Sequence, residues 1–137
     1  MAANPNAGDS AIPDDLRYTK EHEWARVQGN LAQIGITRFA VEQLGDVTQL
    51  ELPKKGESVS QGEVFGTVES VKAVSDLFAP VSGKVAKVND ALNDKPETIN
   101  EDPYKAGWLI EIELGDPAQV DGLLSAADYR KLLAEQE

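Results

Sequence analysis

The sequence has no cysteine and only one histidine, His22. Without cysteine the chain has no disulfides, no thiolate metal sites and no thiol nucleophile. A single histidine also excludes a zinc site built on several imidazoles, and it removes most nucleophilic chemistry that relies on an imidazole base. The residue types that most often perform catalysis are therefore scarce, and the composition predicts a protein that is not itself an enzyme.

Positive charge is also scarce, since 13 Lys and Arg stand against 24 Asp and Glu, for a formal net charge of −11. A nucleic-acid partner is not expected, because phosphate contacts need clustered basic side chains. Residues 97–137 hold ten acidic and three basic residues, so the acidity is greatest in the C-terminal third. We interpret this region as a solvated surface, or alternatively as a docking face for basic partners, where charge raises encounter rates.

No apolar run approaches the roughly 20 residues that a membrane-spanning helix needs. The N-terminus has neither the pattern of a secretory signal nor the arginines of a mitochondrial transit peptide. Residues 1–13 are small and polar and predict a flexible tail, whereas residues 14–137 have the length of a single domain. We expect no membrane partner and a bacterial cytoplasmic location, with a mature mitochondrial matrix form as the alternative.

Short apolar stretches separated by turn residues predict a mainly β fold. A Gly-Asn pair at positions 29 and 30 separates the stretches 24–27 and 31–36, which indicates a hairpin. Eight valines and several glycines predict further short strands between residues 54 and 89. Apolar residues alternate with Leu109, Glu111 and Glu113 over residues 108–114, so this strand is predicted to place Trp108, Ile110 and Ile112 in the core.

Helix signals are few. Thr37 as N-cap and Gly45 as the ending residue predict a short helix near residues 38–44. Asp116-Pro117 and Ser125 each predict the start of a C-terminal helix. The predicted fold class is therefore a β-sandwich or flattened barrel, with one short internal helix and helices at the C-terminus.

One lysine, Lys72, has an informative setting. Taken alone it would be interpreted as a surface lysine. It lies in the sequence Glu-Ser-Val-Lys-Ala, from Glu69 to Ala73, and a Pro-x-x-Gly-x-Val unit follows eight positions after it. This pattern resembles the modification site of lipoyl and biotinyl carrier domains. Biotinyl lysines usually lie between methionines, which are absent here, and Val71 stands where 2-oxo-acid dehydrogenase lipoyl domains typically have Asp.

Five blocks in chain order resemble the H-proteins of the glycine cleavage system. They are YTKEHEW from Tyr18 to Trp24, Gly35-Ile36-Thr37, the pair LGD and ELP within residues 44–53, GTVESVK at residues 66–72, and NEDPYKAGW at residues 100–108. The resemblance extends from Leu16 to Leu133. It implies the fold of the lipoyl-biotinyl carriers.

The resemblance also implies a function. H-proteins bear lipoic acid, which here would be amide-linked to Lys72, with Glu69, Ser70, Val71 and Ala73 as the context that a lipoate ligase or a lipoyl/octanoyl transferase recognises. They shuttle an aminomethyl group from glycine decarboxylase (the P-protein) to an aminomethyltransferase (the T-protein). Dihydrolipoamide dehydrogenase then reoxidises the dithiol. The cofactor supplies the redox chemistry, and the protein presents it as a non-catalytic carrier subunit.

Two acidic residues are singled out by the same resemblance. In the family, acidic side chains at the positions of Glu23 and Asp76 are associated with the cleft that receives the loaded arm. Glu21 stands where a small polar residue is expected. No motif assigns His22 a catalytic role, so a structural or packing role is predicted. Trp24 and Trp108 could flank a ligand, but core and strand-edge packing is the prediction for both.

Other functions are compatible with parts of the pattern. A relay that passes lipoyl groups between other proteins would use the same lysine, and so would a lipoyl domain of a 2-oxo-acid dehydrogenase. A hydrolase or transferase built on a carboxylate pair belongs to another class, and nothing in the sequence supports it. The acidic pairs lack the spacing of a calcium loop, so no metal site is expected.

Overall fold

The structure is a computed structural model that describes residues 12–136. Most of the predicted tail, residues 1–11, lies outside the described residues. The strands are β1 (Arg17–Tyr18), β2 (Glu23–Gln28), β3 (Leu31–Ile36), β4 (Val47–Glu51), β5 (Ser58–Val59), β6 (Val64–Ser70), β7 (Val74–Phe78), β8 (Gly83–Val88) and β9 (Ile110–Leu114). The α-helices are α1 (Arg38–Leu44), α2 (Ala91–Asp94), α3 (Thr98–Glu101) and α4 (Ala126–Gln136), and a 3-10 helix spans Pro117–Gly122.

The strands form two antiparallel sheets, neither of which closes on itself. The large sheet has six strands in the order β1-β2-β3-β9-β8-β5, and the small sheet has three in the order β4-β6-β7. This arrangement, with a short internal helix and C-terminal helices, confirms the predicted fold class. Within the described residues, no helix combines the length and the apolar character that crossing a membrane would require.

The predicted β2–β3 hairpin forms as expected. Gln28 pairs with Leu31, and Gly29 takes a φ of 60°, which suits glycine in a two-residue turn. Gly35 is required for a different reason. A β-carbon at this position would clash with the Trp24 ring, so only glycine leaves room for the indole.

The predicted helix near residues 38–44 is also confirmed, as α1. The Thr37 hydroxyl accepts a hydrogen bond from the Ala40 amide at 3.3 Å, and Gly45 ends the helix with a φ of 79°. Helix α4 begins as predicted, because the Ser125 hydroxyl accepts from the Asp128 amide. The helix predicted after Asp116-Pro117 is the 3-10 helix.

The main core lies between the two sheets. Phe65, Val68 and Leu77 of the small sheet pack in one cluster with Ile110 and Ile112 of the large sheet. Both isoleucines are fully buried, which confirms their predicted position. The small sheet is therefore attached to the large one through its apolar face.

The predictions for residues 108 and 109 are wrong. Strand β9 begins only at Ile110, so the period-two alternation does not extend back to these positions. Leu109, predicted on the charged face, is fully buried and donates its amide hydrogen to the Ile34 carbonyl. Trp108 is half-buried and packs outside the main core, against the second cluster described next.

A second buried cluster lies where α4 meets β1 and β2. It contains Tyr18, Trp24 and Tyr129, together with Ile12, Leu16 and Ala126. The Tyr18 and Tyr129 rings stack with centroids 4.6 Å apart and planes within 5°. The burial of Trp24 confirms its predicted packing role, and its indole N–H donates to the Pro103 carbonyl at 3.0 Å.

Candidate functional site

Lys72 lies in the turn that joins β6 to β7. Strand β6 ends at Ser70 and β7 begins at Val74, so the lysine is in the middle of a three-residue connection. The side chain is exposed, and the flanking Val71 and Val74 are 69% and 68% exposed. Both valines leave apolar side chains in solvent, one within and one directly after the lysine turn, defined here as residues 71–73.

The shape of the lysine turn is determined largely by Ser70. Its buried hydroxyl oxygen accepts hydrogen bonds from the Lys72 amide at 3.3 Å and from the Ala73 amide at 3.1 Å. The hydroxyl donates to the Ala73 carbonyl, which also accepts from the Ser70 amide at 2.8 Å. Sequence reasoning named Ser70 only as part of the context of Lys72. The signal was nevertheless present, because serine commonly bonds to backbone groups two or three residues later.

A second contact anchors the lysine turn to the loop after α1. The Val71 amide donates to the Asp46 carbonyl at 3.0 Å. Asn100 holds this loop from the other side, because its side chain donates to the Gly45 carbonyl at 2.8 Å and accepts from the Val47 amide at 2.9 Å. Sequence reasoning placed Asn100 in a family-like block but gave it no role. No local pattern indicates a contact that joins positions 55 residues apart.

A cleft of about 280 Å³ lies beside the lysine turn. The predicted pair Glu23 and Asp76 both line it, so the structure brings them to one cavity together with Ala73 of the turn. The remaining lining residues are Glu21, His22, Ile36, Ala40, Gln43, Leu44, Val68, Val74, Ser75 and Leu77. The cleft thus combines apolar walls with three carboxylates and an imidazole.

Glu23 is a buried carboxyl group, with 1% of its surface exposed. Its Oε1 accepts from the Thr19 hydroxyl at 2.6 Å, and its Oε2 accepts from the Phe78 amide at 3.1 Å. Burial raises the pKa of Glu23 to about 7, although these hydrogen bonds oppose the shift. Asp76, by contrast, is exposed. Glu23 therefore changes charge near neutral pH.

His22 also lines the cleft, which sequence reasoning did not predict. Its Nδ1 lies 2.8 Å from the Tyr129 hydroxyl, and its ring lies 4.6 Å from the Phe39 ring. Burial lowers the pKa of His22 below its usual value, which the nearby Glu21 carboxylate opposes. The contacts with two aromatic rings agree with the predicted packing role, but the position in the cleft adds a polar edge to the site.

Lys72 is the candidate residue for holding a covalent cofactor, because its side chain is exposed in this turn. Within residues 12–136 its ammonium group forms no ion pair, so no carboxylate competes for it. The turn is rigidly bonded at Ser70 and Val71, and an apolar cleft begins next to it at Ala73. This combination fits an amide-linked arm that has an apolar stem. No group of three or more His, Asp or Glu in the described part of the chain is arranged to hold a metal ion.

The sequence profile of the family described as "Glycine cleavage H-protein" matches residues 16–136. The chain is 60% identical over 126 residues to the "Glycine cleavage system H protein" of Anaeromyxobacter sp. (strain K), covering 92% of this chain and 98% of that one. It is 60% identical over 122 residues to the protein of the same name from Myxococcus xanthus (strain DK1622), covering 89% and 95%.

A solved structure shows similarity to the same family. The crystal structure of a glycine cleavage system H protein from Mycobacterium marinum superposes with a TM-score of 0.83 at 45% sequence identity, covering 90% of this chain and 99% of that one. Sequence and fold therefore agree over nearly the whole length of the chain. The chain belongs to the glycine cleavage H-protein family.

Proposed function

We propose that this protein is the lipoyl-bearing carrier of the glycine cleavage system, with lipoic acid amide-linked to Lys72. The single observation that supports this most strongly is the position of Lys72. An exposed lysine that forms no ion pair within residues 12–136 lies in a turn held by the Ser70 hydroxyl and by the backbone hydrogen bond from Val71 to Asp46. Membership of the H-protein family supports the same attachment site.

The chain's own residues present the arm and perform no bond chemistry. When bound, the lipoyl group would supply a cyclic disulfide that can take up two electrons as one of its sulfurs receives the aminomethyl group. The Ser70 hydroxyl and the Val71–Asp46 hydrogen bond hold the backbone at Lys72 in place, so the arm is attached at a fixed point on the protein surface. Amide formation removes the ammonium charge of Lys72, which lets the stem lie against the apolar cleft walls.

We infer that the cleft shelters the aminomethyl end of the arm between transfers. A primary amine is a cation near neutral pH, and Glu23 and Asp76 are its natural partners. Each contact of this kind contributes about 1.5–3 kcal/mol when well formed, and less at the exposed Asp76. A partner enzyme can overcome an interaction of that size, so sheltering and release are compatible.

The proposal includes the enzymes that act on the arm. They are glycine decarboxylase, aminomethyltransferase and dihydrolipoamide dehydrogenase, with a lipoate ligase or a lipoyl/octanoyl transferase for attachment. The carrier itself is non-catalytic. The relatives described above are bacterial proteins, which supports a bacterial cytoplasmic carrier. A lipoyl relay that does not serve glycine cleavage is the second candidate, and it uses the same lysine.

The first test is replacement of the attachment lysine. Lys72→Arg is expected to abolish lipoylation and carrier activity completely, whereas Lys84→Arg, an equally exposed change in β8, should do neither. Intact mass and peptide mapping measure lipoylation, and mixing with the three enzymes measures glycine decarboxylation. Lipoate found on Lys84 would refute the assignment. Lipoylation of Lys72 without glycine decarboxylation would favour the relay.

The second test removes the cleft carboxylates. Glu23→Gln combined with Asp76→Asn should speed spontaneous loss of the aminomethyl group while leaving lipoylation intact, because the amine loses its charged partners. Mass spectrometry of loaded protein without the transferase follows the loss. Glu63→Gln with Asp94→Asn is the matched control, since it removes two exposed carboxylates that do not line the cleft. Equal decay in both double variants would show that the cleft carboxylates do not shelter the amine.

A further inference from the structure

Gly45, which ends α1, lies directly beside the side chain of Lys72. A β-carbon at position 45 would be 3.4 Å from Cε of Lys72, 3.9 Å from its Cδ and 3.9 Å from a methyl carbon of Val71. These are distances of van der Waals contact. The stem of the lysine therefore lies next to a position that has no side chain. This space beside Gly45, which the Val71 side chain borders, is called the stem notch.

Hydrogen bonds hold both sides of the stem notch. The Gly45 amide donates to the Val41 carbonyl at 3.0 Å, and the Gly45 carbonyl accepts from the Asn100 side chain at 2.8 Å. On the other side, the Val71 amide donates to the Asp46 carbonyl at 3.0 Å. Because this loop is bonded to α1, to Asn100 and to the lysine turn, the notch keeps a fixed position relative to the turn.

The stem notch adjoins the cleft. Leu44, which directly precedes Gly45, lines the cleft, and so does Ala73, which directly follows Lys72. A stem that lies in the notch is therefore at the border of the cleft. The stem consists of methylene groups, which suit contact with a glycine and an apolar side chain, and no charge is desolvated there once the ammonium group has become an amide.

Glycine is required at position 45 for its backbone as well. Gly45 has a φ of 79° and a ψ of −154°, a region essentially restricted to glycine. A defect in a Gly45 variant would therefore not by itself identify a role in holding the arm. Gly62 is the matched control, because its φ is 85° and a β-carbon there would meet no atom within 4 Å. A positive φ is common to both glycines, whereas contact with Lys72 is specific to Gly45.

We propose that Gly45 is a positioning residue for the lipoyl arm, because the absence of a side chain there lets the stem lie in the notch and directs the arm to the cleft. This inference rests on the proposed carrier function and deepens it. It gives the end of α1 a part in sheltering the cargo. A larger side chain at position 45 would occupy the notch, displace the stem and keep the loaded arm out of the cleft for more of the time.

Two side-chain sizes at each glycine separate backbone strain from occupation of the notch. Gly45→Ala adds one methyl group at van der Waals distance from the stem, whereas Gly45→Leu fills the notch. Gly62→Ala and Gly62→Leu make the same changes in open space. All four variants should accept lipoate, because Lys72 remains exposed.

The first measurement is aminomethyl loss from the loaded, lipoylated full-length protein, followed by mass spectrometry without the transferase. Gly45→Leu should lose the group about tenfold faster than Gly62→Leu, which is the size of a typical steric penalty. The two alanine variants should differ from each other by less. A merely structural role of Gly45 would not produce this difference, because both leucine variants strain a glycine backbone with positive φ.

The second measurement needs no substitution. One α-hydrogen of a glycine points in the direction that a β-carbon would take, and at Gly45 this direction leads to Cε of Lys72. NMR cross-relaxation between the α-hydrogens of Gly45 and the ε-hydrogens of Lys72 is therefore expected in the lipoylated parent. If Gly45→Leu does not fold, this measurement decides the question alone.

Each contrary outcome has a definite meaning. No cross-relaxation between these hydrogens in the lipoylated parent would overturn the proposal, because the stem would not lie in the notch. Equal loss rates in Gly45→Leu and Gly62→Leu would overturn it as well, and both results would leave the carrier function intact. A parent that accepts no lipoate at Lys72 would instead refute the proposed function, and this inference with it.

Discussion

The large sheet of this protein supplies more of the buried residues and stabilises the fold, whereas the small sheet exposes the lysine turn to solvent. Strand β9 of the large sheet alternates buried isoleucines with its glutamates, and it is paired on both sides. Strand β7 of the small sheet is an edge strand whose first three residues are exposed, and only Leu77 is fully covered. The small sheet therefore packs against the core at one end and projects the lysine turn into solvent at the other.

This difference shows how a small domain can hold an exposed lysine in place without burying it. The large sheet contributes the apolar area whose removal from water stabilises the fold. The lysine turn contributes almost none, and local hydrogen bonds from Ser70 and Asp46 give it its shape instead. Changes in the large sheet should thus affect stability, whereas changes in the turn should affect lipoylation. Three predictions test that division, in order of expected effect on the free energy of unfolding.

Ile112→Ala should cause the largest loss of stability. The side chain is fully buried between both sheets, so its removal is expected to lower the free energy of unfolding by about 2–5 kcal/mol. Urea unfolding followed by tryptophan fluorescence measures the change. Leu31→Ala, in β3 of the same sheet but 39% exposed, is the control and should lose much less. If both variants unfold at the same urea concentration, β9 does not have the burial described here.

The buried carboxyl group of Glu23 should make stability depend on pH. Its pKa is 4.5 in the unfolded chain and about 7 in the fold, so the folded state binds more protons between these values. The free energy of unfolding should therefore fall by about 3 kcal/mol as pH rises from 4.5 to 7, and the contribution is constant above that. Glu23→Gln has no such charge and should lose this part of the pH dependence.

Urea unfolding at pH 5 and pH 8 measures the effect of Glu23. The quantity of interest is the change in stability between the two pH values, compared between the parent and Glu23→Gln. Glu63→Gln, which removes an exposed carboxylate, should behave like the parent. If the parent and Glu23→Gln lose the same stability between pH 5 and pH 8, the carboxyl group of Glu23 is not desolvated in the fold.

Ser70→Ala should have the smallest effect on stability and a clear effect on modification. The Lys72 and Ala73 amides lose their shared acceptor but lie in an exposed turn where water can replace it. A loss of about 1 kcal/mol is expected, together with slower lipoylation of Lys72 because the turn is less well held. Time courses of intact mass measure lipoylation, with Ser60→Ala as the exposed control. An unchanged rate would show that the modifying enzyme shapes the turn by itself.

Local sequence patterns were sufficient for most of the fold. The Gly29 turn, the Thr37 cap and the Ser125 cap each depend on side chains within a few residues, and all three form as predicted. The alternation in β9 predicted the burial of Ile110 and Ile112. It failed at Leu109 and Trp108, because β9 begins only at Ile110 and the alternation does not continue before it.

Only some residues of the candidate site could be predicted from the sequence. The setting of Lys72 identified the lysine and its neighbours, and the family resemblance selected Glu23 and Asp76. The contact of Asn100 with the loop after α1 and the contact of Tyr129 with His22 were missed, because these pairs are 55 and 107 residues apart in the chain. No periodicity or short motif reports a hydrogen bond between such distant positions.

The sequence by itself determined which residues are present for chemistry: one lysine in a modification-site pattern, no thiol, one imidazole and a large excess of carboxylates. It also determined the β2–β3 turn, the caps at Thr37 and Ser125 and the approximate positions of most strands. Only the tertiary structure decided that Glu23 is buried, that Asp76 and His22 line the same cleft, and that Tyr129 of α4 contacts His22. The reason is physical, since desolvation and long-range hydrogen bonds depend on how distant segments pack together, and local sequence does not encode that arrangement.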